Sequence, residues 1–205
     1  IVTKSIHRKP GCKEPDFMAF LACDTSGMAA STIALVNPET MQVEQTLIAP
    51  EHIRFRATVA MLDGVEYVYM PGEERIRRYK YEGGKLHEDA WSATYRAPGQ
   101  APATAVAALG EWIIIQPNGI PAAAPLTIVA VSQRDPAKQY SFTPFPDSKV
   151  DGSFIPSLPT VDEDNHRVYT FDGFAGELAA LDFYPAKGFS LAWLTMQSSF
   201  EFSAL

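Results

Sequence analysis

The sequence predicts an all-β chain built from one four-strand unit repeated about four times, on three observations. Apolar residues rarely recur at three-four spacing for more than two turns, so an amphipathic helix has no stripe to build on. Sixteen prolines and 13 glycines cut the 205 residues into short pieces. The pieces between them are β-branched, aromatic or alanine-rich, as at 65–70 (VEYVYM), 112–116 (WIIIQ), 126–131 (LTIVAV) and 167–171 (RVYTF).

The turns set the period. One class of tight turn recurs at Asp63-Gly64, Gly110-Glu111 and Asp164-Asn165, each followed by an apolar strand containing an aromatic. A second class follows that strand at Thr25-Ser26-Gly27, Gly72-Glu73, Asn118-Gly119 and Ala175-Gly176. A third falls at Asn37-Pro38-Glu39-Thr40, Gly83-Gly84, Asp135-Pro136 and Ala186-Lys187-Gly188. Within each class the spacing is roughly 46 to 57 residues, four strands per unit, which is the period of a β-propeller blade. A β-sandwich of similar strand count is the competing architecture, but it has no need of the same turn order in every unit.

Aligned on these turns, the chain is a single partial propeller with blades at 1–50, 51–100, 101–147 and 148–198, and 199–205 opening or closing a further blade. Small apolar stretches at 57–62, 104–109 and 155–161 suit inner strands crowded around an axis, and the more polar 75–81 and 139–145 suit the outer rim. The first residue is Ile1 and the last stretch is strand-like without a closing turn. The expectation is therefore a segment of a larger ring of six to eight blades. Closure of four blades by the strand 200–204, pairing of two chains into eight blades, and completion by a partner chain are the three alternatives. An open stack exposes sheet faces and strand edges, so self-association or a second chain is expected.

Composition narrows the partners. The chain is 46% hydrophobic and 20% charged, which is that of a folded protein, and its net charge of −7 argues against nucleic acid. The one basic cluster, Arg75, Arg77, Arg78 and Lys80, is diluted by Glu73, Glu74 and Glu82 and reads as a solvated outer strand. No apolar run approaches the ~18 residues of a membrane span.

Two stretches carry a family resemblance. Residues 33–43 (IALVNPETMQV) put an apolar strand into an Asx-Pro-x-Thr turn, and 161–169 (VDEDNHRVY) lead a polar turn into a Val-Tyr strand. Both resemble bacterial YVTN-type and quinoprotein-like propeller repeats. The resemblance implies blade architecture and a periplasmic or secreted protein. The quinoprotein docking pattern Ala-x-Asp-x-x-Thr-Gly-x-x-x-Trp is matched in kind by Ala180, Asp182, Gly188 and Trp193. The Asp-to-Gly spacing is too long and no Thr precedes the glycine, so no quinone cofactor is implied, and the cofactor stays unknown.

Few residues propose chemistry. In propellers the loops leading into inner strands open on the face where ligands usually bind. His52, Arg54, Arg56, Gln100, Asp151 and Ser153 precede or begin such strands and would ring the channel mouth, where they either meet a ligand or simply solvate it. The two arginines suit an anion. Asp162, Glu163, Asp164 and Asn165 are the densest acidic cluster, but glycine and glutamate are missing where an EF-hand loop needs them, so a solvated turn is expected and no metal site. Cys12 and Cys23 either form a disulfide, if the protein is exported, or remain a loop thiol and a core thiol. No Gly-x-Ser-x-Gly elbow or phosphate loop occurs. The sequence thus favours a ligand- or protein-binding propeller module. A dehydrogenase-like or lactonase-like propeller enzyme with its site at the channel mouth is the alternative.

Overall fold

The computed structural model describes residues 2–6, 17–22, 31–53, 57–95, 101–118, 127–146, 159–172 and 176–196, with side chains for 31–53, 57–95, 106–116, 127–146, 159–172 and 176–195. Among the described residues sixteen strands form four sheets. The first holds β1 (Val2–Ile6), β2 (Phe17–Ala22), β3 (Thr32–Val36) and β4 (Val43–Ile48). The second holds β5 (Thr58–Leu62), β6 (Val65–Pro71), β7 (Arg75–Glu82) and β8 (Lys85–Thr94). The third holds β9 (Ala101–Leu109), β10 (Trp112–Asn118), β11 (Ile128–Ser132) and β12 (Gln139–Phe142). The fourth holds β13 (Thr160–Asp162), β14 (Arg167–Asp172), β15 (Glu177–Tyr184) and β16 (Gly188–Met196). Within every sheet the strands pair antiparallel in chain order, which is the meander of a propeller blade. No helix of the described residues is long and apolar enough to cross a membrane.

The hairpins follow from local chemistry. Gly83 and Gly84 sit at φ 59° and 77°, the doubly left-handed turn that matches strand twist and that side chains resist. At the equivalent turn of the first sheet, Asn37 Oδ1 accepts the amides of Glu39 (2.9 Å) and Thr40 (3.2 Å), closing the Asx turn read from the sequence.

Sheets stack face to face, and the core lies between them. Ile33 and Leu35 of β3 pack on Val68, Met70, Tyr79 and Leu86 of the second sheet. Across this seam the Gln45 side-chain amide bonds both the carbonyl (2.9 Å) and the amide (2.7 Å) of Leu86. The run Trp112-Ile113-Ile114-Ile115 is apolar throughout because β10 is covered on both faces. Ile113 and Ile115 join the core shared with the second sheet, whereas Trp112 and Ile114 join the core shared with the fourth.

The arginine-rich strand differs from the sequence expectation. Residues 75–82 form the third strand of their sheet and β8 is the outer one, so this strand is flanked on both edges. Its cations are paired. Arg77 meets Glu51 (3.1 Å) and Glu88 (3.0 Å), Lys80 meets Glu82 (2.7 Å), and Arg75 Nε donates to Ser92 Oγ (3.0 Å). Arg78 is the most enclosed. Its guanidinium lies 4.4 Å from the Tyr67 ring centroid and 5.5 Å from that of Trp91, and it pairs with Asp89 at 2.9 Å. It then reaches into the third sheet, donating to the Gln133 carbonyl at 2.7 Å.

Two more bonds fasten that seam: Trp91 Nε1 donates to the Ser132 carbonyl (3.1 Å) and Tyr69 Oη to Gln133 Oε1 (2.8 Å), while within the third sheet Gln133 Nε2 donates to the Gly110 carbonyl (2.7 Å). Burial pushes the Tyr69 phenol up to about 12, so it stays a donor. Trp91 meets Tyr69 edge-on at 5.2 Å.

Two stability changes are expected, each measurable by urea denaturation. Trp91→Ala empties a packed site and strands the Ser132 carbonyl, and should cost about 3–5 kcal/mol. Tyr79 Oη is buried without a hydrogen-bond partner among the described residues, so Tyr79→Phe should hold or raise stability, by up to about 1–3 kcal/mol.

Candidate functional site

His52 lies half-buried in the loop before β5, next to Ile53, which bridges Gly72. Arg54, Arg56, Gln100, Asp151 and Ser153 lie outside the described residues, as do Cys12 and Cys23. In the acidic turn, Asp162 Oδ2 accepts from Asn165 Nδ2 at 2.8 Å, and this bond holds the Asp162 carboxyl below the usual range. Among the described residues no group of three or more His, Cys, Asp or Glu could hold a metal ion. Asp182 is paired with Arg167 (2.9 Å), Gly188 opens β16 at φ 76°, and Trp193 is partly exposed on β16, so these three serve separate local roles.

A cleft of about 530 Å³ lies at the other end of the strands, where the hairpins of the third and fourth sheets meet. Its floor is aromatic. Trp112 packs against Tyr140 (5.3 Å) and Phe183 (5.2 Å), and Tyr140 Oη donates to the Pro185 carbonyl at 2.8 Å, tying the two sheets together. Gly188 permits this approach, because a Cβ there would lie 2.9 Å from Tyr140 Cδ1. Lys138 Nζ lies 5.4 Å from the Trp112 ring centroid. That ammonium has no hydrogen bond or ion pair among the described residues.

The walls come from three hairpins. Glu163, in the β13–β14 turn, accepts from the Gly110 amide at 3.2 Å, joining that turn to the β9–β10 turn. His166 adopts φ 52° and rests its ring 5.5 Å from Tyr184. The β11–β12 turn carries Ser132, Arg134, Asp135 and Lys138, and Ser132 Oγ accepts the amides of Arg134 (3.2 Å) and Asp135 (3.3 Å). Arg134 forks onto Asp63 of the second sheet with two bonds of 2.7 Å, and onto Glu111 at 2.6 and 2.9 Å. These bonds hold the Asp63 and Glu111 carboxyls below their ordinary range and raise the guanidinium pKa.

On and beside the cleft, four carboxylates (Asp63, Glu111, Asp135 and Glu163) outnumber two cations, Arg134 and Lys138. The surroundings thus favour positive charge. The Ser132 hydroxyl is committed to its own turn, and the His166 ring makes no hydrogen bond among the described residues. The arrangement offers a flat apolar floor and a ring of acceptors, which is the chemistry of binding. Sequence reasoning pointed to the opposite end of the strands. The shared turn period that placed these hairpins was the one signal that could have brought Glu111, Asp135 and Glu163 together.

No protein-family model matches the chain, and no curated protein matches it. Solved structures match in fold. A functionally unknown protein from Desulfotomaculum acetoxidans is 13% identical with a TM-score of 0.58, over 87% of this chain and 52% of that one. The WD40 domain of Toxoplasma gondii coronin is 11% identical with a TM-score of 0.50, over 84% of this chain and 43% of that one. BamB from Moraxella catarrhalis is 19% identical with a TM-score of 0.47, over 86% and 48%. WD40 repeats build propellers, so the fold is a β-propeller fold. The chain spans about half the length of these structures.

The Arg134 pairs give a pH dependence. Both carboxyls titrate lower in the folded chain than in the unfolded one. The pairs therefore stabilise fully above the ordinary Asp and Glu range, and their contribution fades as pH falls through the lowered values. Carbon-detected NMR titration should find Asp63 and Glu111 below ordinary values, with Arg134→Gln returning both towards them.

Proposed function

We propose that this propeller segment is a non-catalytic binding module, and that its ligand or partner presents a cationic group to the cleft between the third and fourth sheets. The observation that carries this reading is the Trp112 floor beneath an excess of carboxylates. An aromatic face and carboxylate acceptors both attract a cation, one through the ring quadrupole and the other through charge. Lys138 already sits over that ring as an internal stand-in for the incoming group. The chain's net charge of −7 favours the same partners at longer range. The enzyme alternative, with its site at the opposite mouth, rests on His52, Arg54, Arg56, Gln100, Asp151 and Ser153, of which all but His52 lie outside the described residues.

Calorimetric titration with a short arginine- and lysine-containing peptide tests this. Binding should weaken with added salt, and Glu163→Gln should reduce affinity by roughly 3- to 10-fold. Lys138→Gln should tighten binding, because it removes a competing cation from the Trp112 face. Absence of binding, or a Lys138→Gln variant that binds more weakly, would contradict the proposal.

A further inference from the structure

The Tyr69–Trp91 pair that fastens the second sheet to the third has a counterpart in the fourth sheet. Tyr69 on β6 lies opposite Arg78 on β7. Trp91 on β8 lies next to Ser92, the partner of Arg77, at the bulge facing Arg78. In the fourth sheet Tyr169 on β14 lies opposite Ala180 on β15, and Ala180 lies opposite Trp193 on β16. The Tyr169 and Trp193 rings are 6.1 Å apart, so strand position, residue types and contact all repeat.

Their surroundings do not repeat. Trp91 is 5% exposed, under Ile113, Ile115, Val129 and Val131 of the next sheet, whereas Trp193 is 39% exposed. Val168, Ala179, Leu181 and Phe183 of the fourth sheet pack towards the third. Strand alternation puts Tyr169, Ala180 and Trp193 on the other face. Arg167 and Asp182 share that face and neutralise each other at 2.9 Å, so covering it buries no unpaired charge.

At the other end of the stack, Ile33 and Leu35 of the first sheet point to the second sheet. Thr32 and Ala34 therefore point away from it, and so do their cross-strand partners Ile48 and Thr46. Ile48 is 77% exposed. On β3 and β4, the strands of this sheet with described side chains, the leading face carries Thr32, Ala34, Thr46 and Ile48, β-branched apart from the alanine, as is the Val129 and Val131 face that covers Tyr69 and Trp91. The trailing aromatic face and the β-branched residues of the leading face thus repeat, in order, the seam already made between the second and third sheets.

We infer that the trailing face of the fourth sheet docks on the leading face of the first sheet of a second copy of this chain. Such a contact joins unlike faces, so it either closes or propagates. Two copies close it with eight sheets, within the range propellers adopt. The inference is independent of the ligand reading of the cleft, whose floor lies between the third sheet and the opposite face of the fourth.

Sedimentation equilibrium combined with iodide quenching of tryptophan fluorescence tests it. Trp91 and Trp112 are buried, so Trp193 alone should report exposure. The expected result is a two-copy species with Trp193 shielded. Trp193→Asp and Ile48→Asp should each weaken association roughly 30-fold or more without changing the far-ultraviolet circular dichroism. Mixing the two variants should restore two-copy species, because one contact in the mixed pair has both native faces, and two misfolded variants would not do this. A monomer with Trp193 quenched freely, a monomer with Trp193 shielded by its own chain, or a dimer indifferent to both substitutions would each overturn the inference.

Discussion

The hold of the second sheet on the β11–β12 turn is the interaction on which the rest of this structure depends. Arg78, Trp91 and Tyr69 reach across the seam to the Gln133 carbonyl, the Ser132 carbonyl and the Gln133 side chain, respectively. A backbone turn that would otherwise be hydrated is thereby fixed by groups desolvated with it. Arg78 needs Asp89 and the two aromatic rings to make that desolvation tolerable. Gln133 completes the arrangement by bonding Gly110 on the neighbouring hairpin, so one buried amide links two turns to strand β6.

The cleft inherits its geometry from this seam. Ser132 is held from behind by Trp91, and its hydroxyl orders the amides of Arg134 and Asp135 in front. Asp135 and Lys138 then line the cleft, where Trp112 meets Phe183 of the fourth sheet in the floor, while Arg134 turns onto Asp63 of the second sheet. The two arginines differ in consequence. Arg134 is exposed and its pairs are screened by solvent, so it shapes charge more than stability. Arg78 is mostly enclosed, and its bonds cannot be exchanged for water without opening the seam.

The architecture was legible because turns are local. Asp63-Gly64, Gly83-Gly84 and Asn37-Pro38 carry their conformational preferences in two or three residues, and their recurrence gives the blade period. The place of residues 75–82 within their sheet was misread for a physical reason. Four charged side chains look like a solvated rim, but Glu51, Glu88, Asp89 and Ser92 answer the three arginines from other segments, and Glu82 answers Lys80 from the same strand. The cleft was not legible for the same reason. Its floor joins Trp112 to Phe183 and its wall joins Asp63 to Arg134, 71 positions apart in each case, and no local pattern announces either meeting. A histidine and two arginines before an inner strand, by contrast, form a visible local cluster at the other end, which is where sequence reasoning looked.

Amide hydrogen exchange in an Arg78→Met variant tests most directly whether one sheet holds the turn of the next. In the native chain the Ser132 amide donates to the Lys138 carbonyl and the Gln133 amide to the Glu111 carbonyl. If the second sheet holds this turn, both amides should lose protection in the variant while those of β14 and β15 keep theirs. Unchanged protection at Ser132 and Gln133 would show that the turn holds itself, and would contradict the account.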